Sequence, residues 1–284
     1  MADTPSKDVQ IKSIAEANSA QNSDIRLPIS IAVITLNEEM NITRCLESVS
    51  GWVAEVVVID SGSTDRTVEI ARRYADKVEV LSDWPGFAAQ KNRAIERCSQ
   101  PWVFTLDGDE CFSDELREAM IRLFAQGDPP ATAYRVCRRT EYLGAWIWHA
   151  WYPEWRLRLF RRGKAQWEGL DPHETLEVDG TIAKLPGGDL LHYTYRDLDH
   201  HMTKTVHYAR LGATKLAAKN TSFSGTRLIF SPLSRLLRIL IIKQAWRDGW
   251  RGFIIAGSSA MSAFLKYAYL YELTRTRKNG RNKD

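Results

Sequence analysis

The feature that most constrains this chain is a strand–helix repeat in its first half, in which each strand signal ends in polar residues. Ile29-Ser-Ile-Ala-Val-Ile-Thr-Leu36 and Glu55-Val-Val-Val-Ile-Asp60 are short runs rich in β-branched residues. That composition suits strands buried on both faces. Lys77-Val-Glu-Val-Leu81 and Pro101-Trp-Val-Phe-Thr-Leu106 extend the series. Between them, helices are expected after Asn37 (with Ile42, Leu46 and Val49 inward, ended by Gly51), from about Arg66 to Tyr74, and from about Gly86 to Cys98. Four strands alternating with three helices predict a doubly wound parallel sheet. Ligands of such sheets bind beyond the carboxyl ends of the strands. Those ends carry Thr35 and Asn37, Asp60, and Asp107 with Asp109.

The bulk properties fit one large domain with an appendage. With 44% hydrophobic and 26% charged residues over 284 positions, the chain can bury a sizeable core and is not disordered as a whole. Cys45, Cys98, Cys111 and Cys137 form no CxxC pair, which predicts reduced, buried thiols in a cytoplasmic protein. The first 25 residues read as a loose polar tail without a secretory signal. No run reaches the roughly 18 consecutive apolar residues of a spanning helix. The net charge of +4 is unevenly placed, since Thr221 onward holds 12 Lys/Arg against 3 Asp/Glu. A domain over 26–220 followed by a basic helical region over 221–284 is therefore expected.

Asp107-Gly-Asp109 carries the clearest chemistry. Two carboxylates one residue apart, just past a buried strand, can share a divalent cation that holds a diphosphate. Asp60 either accepts hydrogen bonds from a ribose or base, or caps the turn Ser61-Gly-Ser-Thr-Asp65; Asp65 reads as a helix cap. Lys91, Asn92 and Arg93 either contact a nucleotide or form a solvated helix face. The absence of GxGxxG after the first strand, and of GxxxxGK[ST] anywhere, argues against dinucleotide oxidoreductases and phosphate-loop NTPases. His173 and His192 are candidate metal or phosphate contacts, or structural hydrogen-bonding residues. The spacing of His200, His201 and His207, on one expected helix, does not make a zinc site.

Taken in order, Ile31-Ala-Val-Ile-Thr-Leu-Asn-Glu38, Val57-Val-Ile-Asp-Ser-Gly-Ser-Thr-Asp65, Gly86-Phe-Ala-Ala-Gln-Lys-Asn92 and Thr105-Leu-Asp-Gly-Asp-Glu110 resemble glycosyltransferase family 2. These are inverting transferases of the α/β GT-A fold, a Rossmann-like nucleotide-diphospho-sugar transferase domain. Arg156-Leu-Arg-Leu-Phe-Arg161 and His173-Glu174 resemble the branch that includes bacterial lipopolysaccharide inner-core glucosyltransferases acting on a heptose. The resemblance spans roughly residues 29–215. It implies that Thr35, Asn37, Glu38 and Asp60 grip the nucleoside of a UDP-sugar, with Lys91 and Asn92 close by. It implies that Asp107 and Asp109 present Mg²⁺ or Mn²⁺ to the diphosphate; His192, by its residue type, is the further candidate metal contact. An inverting transferase also needs a carboxylate base, for which Glu174 is the first candidate and Asp171 the second. Relatives often carry an apolar residue before His-Glu, where this chain has Asp171-Pro172.

The expected reaction moves a hexose, glucose from UDP-glucose, to a lipid-linked saccharide of the lipopolysaccharide inner core. The alternatives are another acceptor (a protein side chain, a polyprenyl phosphate, a capsular sugar), a non-catalytic nucleotide-binding scaffold at the membrane, or an interaction module with a basic tail. Of Trp146, Trp148, Trp151, Trp155 and Trp167, one or two are expected in a sugar cleft and the rest in the core. Leu236-Leu237 and Ile239-Leu-Ile-Ile242, interleaved with Arg235, Arg238, Lys243, Arg247 and Arg251, suit a helix lying on an anionic membrane. A helical hairpin packed on the catalytic domain or pairing subunits is the other reading. The place of action expected is the cytoplasmic face of the inner membrane, without nucleic acid as a partner.

Overall fold

The computed structural model describes residues 26–169 and 174–281, with side chains as far as 275. Its first half is the expected repeat: β1 (Leu27–Thr35), α1 (Ile42–Glu47), β2 (Val53–Asp60), α2 (Thr67–Ala71), β3 (Lys77–Val80), α3 (Phe87–Glu96) and β4 (Trp102–Asp107). The strands run parallel in the order β3-β2-β1-β4. Alternate residues of β1 feed two cores, as the period of two requires. Ile29, Ile31 and Val33 pack with Ile42, Cys45 and Leu46 of α1 on one face. Ala32 and Ile34 pack with Ala94 of α3 on the other. The sheet is thus buried on both sides, which explains why these strands read as unbroken apolar runs. All four cysteines are free and buried, as expected.

The sheet is not wholly parallel. β5 (Glu110–Phe112), α4 (Asp114–Ala125), β6 (Ala133–Tyr142), β7 (Ala145–Trp146) and β8 (Glu154–Arg161) follow, then a β9 (Ala165–Glu168) and β10 (Thr175–Val178) hairpin, and β11 (Ile182–His192). β8 pairs antiparallel with both β4 and β6, and β11 lies parallel to β6 and antiparallel to β5. The parallel arrangement expected for the first four strands ends at β4, and the chain passes from β6 to β8 without the crossover helix a parallel pair would need. This mixed half matters for the site. β11 ends with His192 opposite Glu110, and Tyr193 N–H donates to the Asp109 carbonyl at 2.9 Å. His192, 82 residues after Glu110, is thereby placed beside the Asp107–Asp109 turn.

The remainder is helical: α5 (Leu198–Ala218), α6 (Gly225–Leu237), a π-turn (Arg238–Ile242), a 3-10 turn (Ala245–Asp248) and α7 (Trp250–Arg281). Asp197 caps α5 by accepting from His200 N–H at 2.7 Å. α7 lies along both α5 and α6, with Ala213 and Ala217 packed on Leu270. The helical layer thus takes in Leu198–Ala218 as well as the basic region. Among the described residues one stretch, Trp250–Arg275, is long and apolar enough to cross a membrane by length and composition. Its neighbour α5 carries Lys204, Arg210 and Lys215 along its length, which a hydrocarbon environment disfavours.

Glu55, a buried carboxylate on β2 paired with the half-exposed Lys77, sets an expectation for stability. Burial raises the Glu55 carboxyl, but hydrogen bonds from Lys77 Nζ (2.7 Å), Ser30 Oγ and Ser99 N–H (2.7 Å) outweigh it and bring it down to about 2. A carboxyl depressed on folding stabilises above its unfolded value, and that contribution is lost as pH falls through the folded value. Glu55→Gln is expected to cost about 1–2 kcal/mol at pH 7, allowing for the half-exposed Lys77. In urea unfolding, the gap between variant and wild type should shrink from pH 4.5 toward pH 2. A gap independent of pH would remove the ionic explanation.

Candidate active site

The carboxyl ends of β1 and β4, the β11 terminus and α3 enclose a cavity of about 660 Å³, a size that suits a nucleotide-sugar ligand. Thr35, Glu38, Lys91, Asp107, Asp109, Glu174 and His192 all line it. Seven of the residues singled out from sequence therefore meet in one place. Gly108 has a steric reason to lie between the two aspartates. A Cβ there would come within 3.0 Å of Thr35 Oγ1 and 3.3 Å of Glu38 Cγ, so glycine lets the acidic turn close on the end of β1.

The two aspartates have different surroundings. Asp107 Oδ2 accepts from Arg158 Nη2 at 2.9 Å, and its Oδ1 lies 3.4 Å from Lys91 Nζ. Burial would raise the Asp107 carboxyl, yet Lys91 and Arg158 hold it well below the usual carboxylate range. Asp109 Oδ2 lies 3.3 Å from His192 Nε2. Burial works against the Asp109 charge too, and His192 outweighs it, so this carboxyl is also lowered. Both aspartates are thus ionised at neutral pH. Glu38 goes the other way, raised chiefly by burial.

A chain of alternating charge threads the cavity wall. Glu154 Oε2 accepts from Arg138 Nε at 2.8 Å, and Arg138 Nη1 donates to Glu110 Oε1 at 3.1 Å. Glu110, fully buried, accepts from Arg158 Nη2 at 2.7 Å through Oε2. Arg158 reaches Asp107, Lys91 follows, and Lys91 Nζ lies 3.4 Å from Glu174 Oε1 while sitting 4.3 Å from the Trp167 ring centre. Each buried charge here has a neighbour of opposite sign, the condition under which such groups persist in an interior. Among the described residues, several polar atoms at the site have no protein partner, including Glu174 Oε2 and Thr35 Oγ1. Unpartnered buried oxygens lining a cavity are acceptors available to a ligand.

Three residues assigned to the nucleoside by resemblance are not among those lining the cavity. Asp60 is fully buried and accepts from Gly62 N–H (2.9 Å), Ser63 N–H (2.7 Å) and Ser63 Oγ, so of its two readings the turn cap is the one seen. Asn37, exposed and at a left-handed φ of 54°, joins the loops after β1 and β2 through Ser63 Oγ and Thr64 N–H. Asn92 exchanges two 2.9 Å hydrogen bonds with the Trp167 backbone and fastens β9 to α3. Asp65 caps as expected, accepting from Thr67 N–H at 2.9 Å. Asp171 and His173 lie outside the described residues. Of the five tryptophans, Trp151 lines the cavity and Trp167 backs Lys91.

Arg138, Glu110, Arg158 and Lys204 carry no role in the sequence reading. Arg156-Leu-Arg-Leu is an alternating run, and its period of two could have flagged an inward arginine; nothing local identified Arg158 as the buried one. Lys204, on α5, lines the same cavity, donates to the Thr194 carbonyl at 3.1 Å and acts electrostatically on Glu38 and Asp109.

The donor set fits a hard divalent cation. A carboxylate oxygen of Asp109 and the His192 imidazole are adjacent, and Asp107 is close by although already paired with cations. No cluster of three or more metal-ligating side chains is present among the described residues. A cation held here would need diphosphate oxygens and water for its remaining positions, the usual arrangement for Mg²⁺ on a phosphorylated substrate.

Residues 30–176 match the family described as Glycosyl transferase family 2. The chain is 35% identical over 257 residues to the lipopolysaccharide core biosynthesis glycosyltransferase LpsC of Rhizobium meliloti, covering 87% of this chain and 93% of LpsC. It is 30% identical to an uncharacterized glycosyltransferase of Rickettsia typhi, covering 88% and 89%. Among solved structures it is similar to the mannosyltransferase PcManGT of Pyrobaculum calidifontis in complex with GDP-Man and Mn²⁺, at 16% identity and TM-score 0.47, covering 96% and 95%. A likeness to S. aureus TarS in complex with UDP stands at 14% and 0.47, covering 88% and 92%.

Proposed function

We propose that this chain, which belongs to glycosyltransferase family 2, transfers glucose from UDP-glucose, with inversion, to a hydroxyl of a lipid-linked lipopolysaccharide-core saccharide at the cytoplasmic face of the inner membrane. The observation that carries the reading is the convergence, in one cavity, of the Asp107–Asp109 turn, His192, Lys91 and Glu174, whose buried Oε2 has no partner among the described residues. The likeness to LpsC supports the acceptor class.

In this reading the nucleoside end rests against Thr35 and Glu38 at the β1 terminus, in a loop held by Asp60 and Asn37. A divalent cation bound by Asp109 and His192 would neutralise charge on the departing diphosphate. Lys204 adds a cation from the helical layer. Glu174 Oε2 accepts the proton of the acceptor hydroxyl as its oxygen attacks the anomeric carbon from the side opposite UDP. Lys91, bridging Asp107 and Glu174, sets the distance between the donor side and the base. Trp151 and Tyr195 supply aromatic faces for the acceptor sugar.

Calorimetric titration with UDP-glucose, with Mn²⁺ and with EDTA, tests the donor and metal together. Binding is expected only with metal, and Asp109→Ala should weaken it by at least about 100-fold, the loss of one metal-held contact of roughly 3 kcal/mol. Equal binding with EDTA would reject the metal assignment. No binding of any UDP-sugar in either condition would favour the scaffold.

A further inference from the structure

α6 is a 13-residue helix with no buried residue. Ile229, Phe230, Leu233 and Leu237 form one stripe of it, with Ile229 67% and Phe230 60% exposed. The same character continues through Ile241, Ile242 (75% exposed), Trp246 and Trp250 (82% exposed) to Phe253. Isolated exposed apolar residues need no explanation, but a sustained run of large ones marks a surface that is covered in use. Arg227, Arg235, Arg238, Lys243 and Arg247 are all exposed in the same segment. Its other two charges, Asp248 and Arg251, are turned inward.

Those two inward groups tie the segment to the cavity wall. The Asp248 carboxylate accepts three successive backbone N–H groups, Trp148 (2.9 Å), His149 (3.1 Å) and Ala150 (2.8 Å). The Arg251 guanidinium donates to the Tyr142 and Leu143 carbonyls at 2.7–3.1 Å. Beneath them Ile239, Ala245, Ile255 and Ala256 pack with Tyr142, Ile147 and Ala150, against which Trp151 and Tyr195 lie. Both of those aromatics line the cavity. One segment thus has an apolar, cationic outer face and an inner face clamped to the acceptor side of the site.

We propose that the outer face of Gly225–Phe253 seats on an anionic phospholipid surface, and that the Asp248–Arg251 latch transmits that seating through the 148–150 backbone to Trp151 in the cavity wall. Charge decides the occupant. A second copy meeting this face across a two-fold axis would oppose five cations to five, whereas anionic headgroups complement them and acyl chains accept the apolar stripe. The proposal deepens the lipid-linked acceptor reading above, but the seating itself is tested without any sugar.

The full chain is sedimented with phosphatidylcholine vesicles with and without phosphatidylglycerol. Binding is expected to the anionic vesicles, at least tenfold weaker to pure phosphatidylcholine and in 0.5 M salt. The double substitution Phe230→Ser/Ile242→Ser, at exposed positions, should reduce it at least tenfold with unchanged melting temperature and UDP-glucose affinity. Failure of the wild type to sediment, wild-type binding by the double variant, or a dimer that the double variant dissociates, overturns the seating. Hydrogen exchange reads the latch. Anionic vesicles should slow exchange in the 143–152 segment severalfold in the wild type and not in Asp248→Ala, which should still sediment; no slowing in the wild type overturns the coupling. A failed glucosyltransferase assay alongside intact vesicle binding would reject the functional reading alone.

Discussion

Arg158→Met is expected to lower folding stability by about 3–5 kcal/mol, the range for removing one partner from a buried ionic cluster. Arg158 is 3% exposed and its Nη2 serves both Glu110 and Asp107. Burial disfavours its charge, but the two carboxylates more than restore it and raise its proton affinity. Methionine fills similar volume, so the loss is electrostatic: Glu110 keeps Arg138, while Asp107 keeps Lys91 at 3.4 Å and the more distant charge of Arg138. With its charge less compensated, the Asp107 carboxyl should rise, and the variant's deficit should narrow as pH falls and protonation relieves the orphaned charge. Urea unfolding at pH 7 and pH 4 checks both parts. A loss under 1 kcal/mol would mean that the network relaxes around the gap, and that Arg158 does not hold Asp107.

Glu174→Gln is expected to reduce kcat by about 10²–10⁴-fold, the usual contribution of a positioned general base, while leaving UDP-glucose affinity within a few fold. The amide keeps the shape and the contact toward Lys91 but cannot take the acceptor proton. Steady-state kinetics with the lipid-linked core acceptor, paired with calorimetry for the donor, separate the two quantities. If kcat hardly moves, the base lies elsewhere, and Asp171, three residues upstream, is the next carboxylate to replace. If donor affinity collapses with kcat, Glu174 positions Lys91 and the nucleotide rather than the acceptor.

Local chemistry made the first half legible. β1, β2 and β4 are covered on both faces, so their burial appears directly as unbroken β-branched runs, and the turns that follow carry the glycines and aspartates their geometry needs. Asp107, Asp109, Thr35 and Glu38 are legible for the same reason: each lies at a strand end that the repeat itself locates. Glu174 and His192 were identified through resemblance and through residue type. His192 reaches the aspartates through the β5–β11 pairing, and Glu174 stands at the start of β10, whose partner β9 is fastened to α3 by Asn92; no local signal specifies either.

The candidates that do not line the cavity share a cause. Asp60, Asn37 and Asn92 have the right chemistry at the right element, but sequence does not reveal which neighbour occupies a side chain's hydrogen-bonding atoms. Asp60 finds Gly62 and Ser63 two and three residues away, whereas Asn92 finds Trp167 across 75 residues. The basic segment shows the converse. Its charge and apolar clusters are plain in the sequence, but only the folded chain separates Asp248 and Arg251, which face inward, from the five cations that face out.

By itself, then, the sequence determined the parallel half of the sheet, the acidic turn at its edge and the basic character of the last quarter, because these follow from periodicity and composition over short stretches. Tertiary structure alone decided that the sheet turns antiparallel after β4, that Arg158 rather than Arg156 is the buried arginine, and that Lys91 stands between Asp107 and Glu174. Those outcomes depend on contacts across 51 and 83 residues, where the partner is selected by the packing of the whole chain and leaves no pattern near either residue.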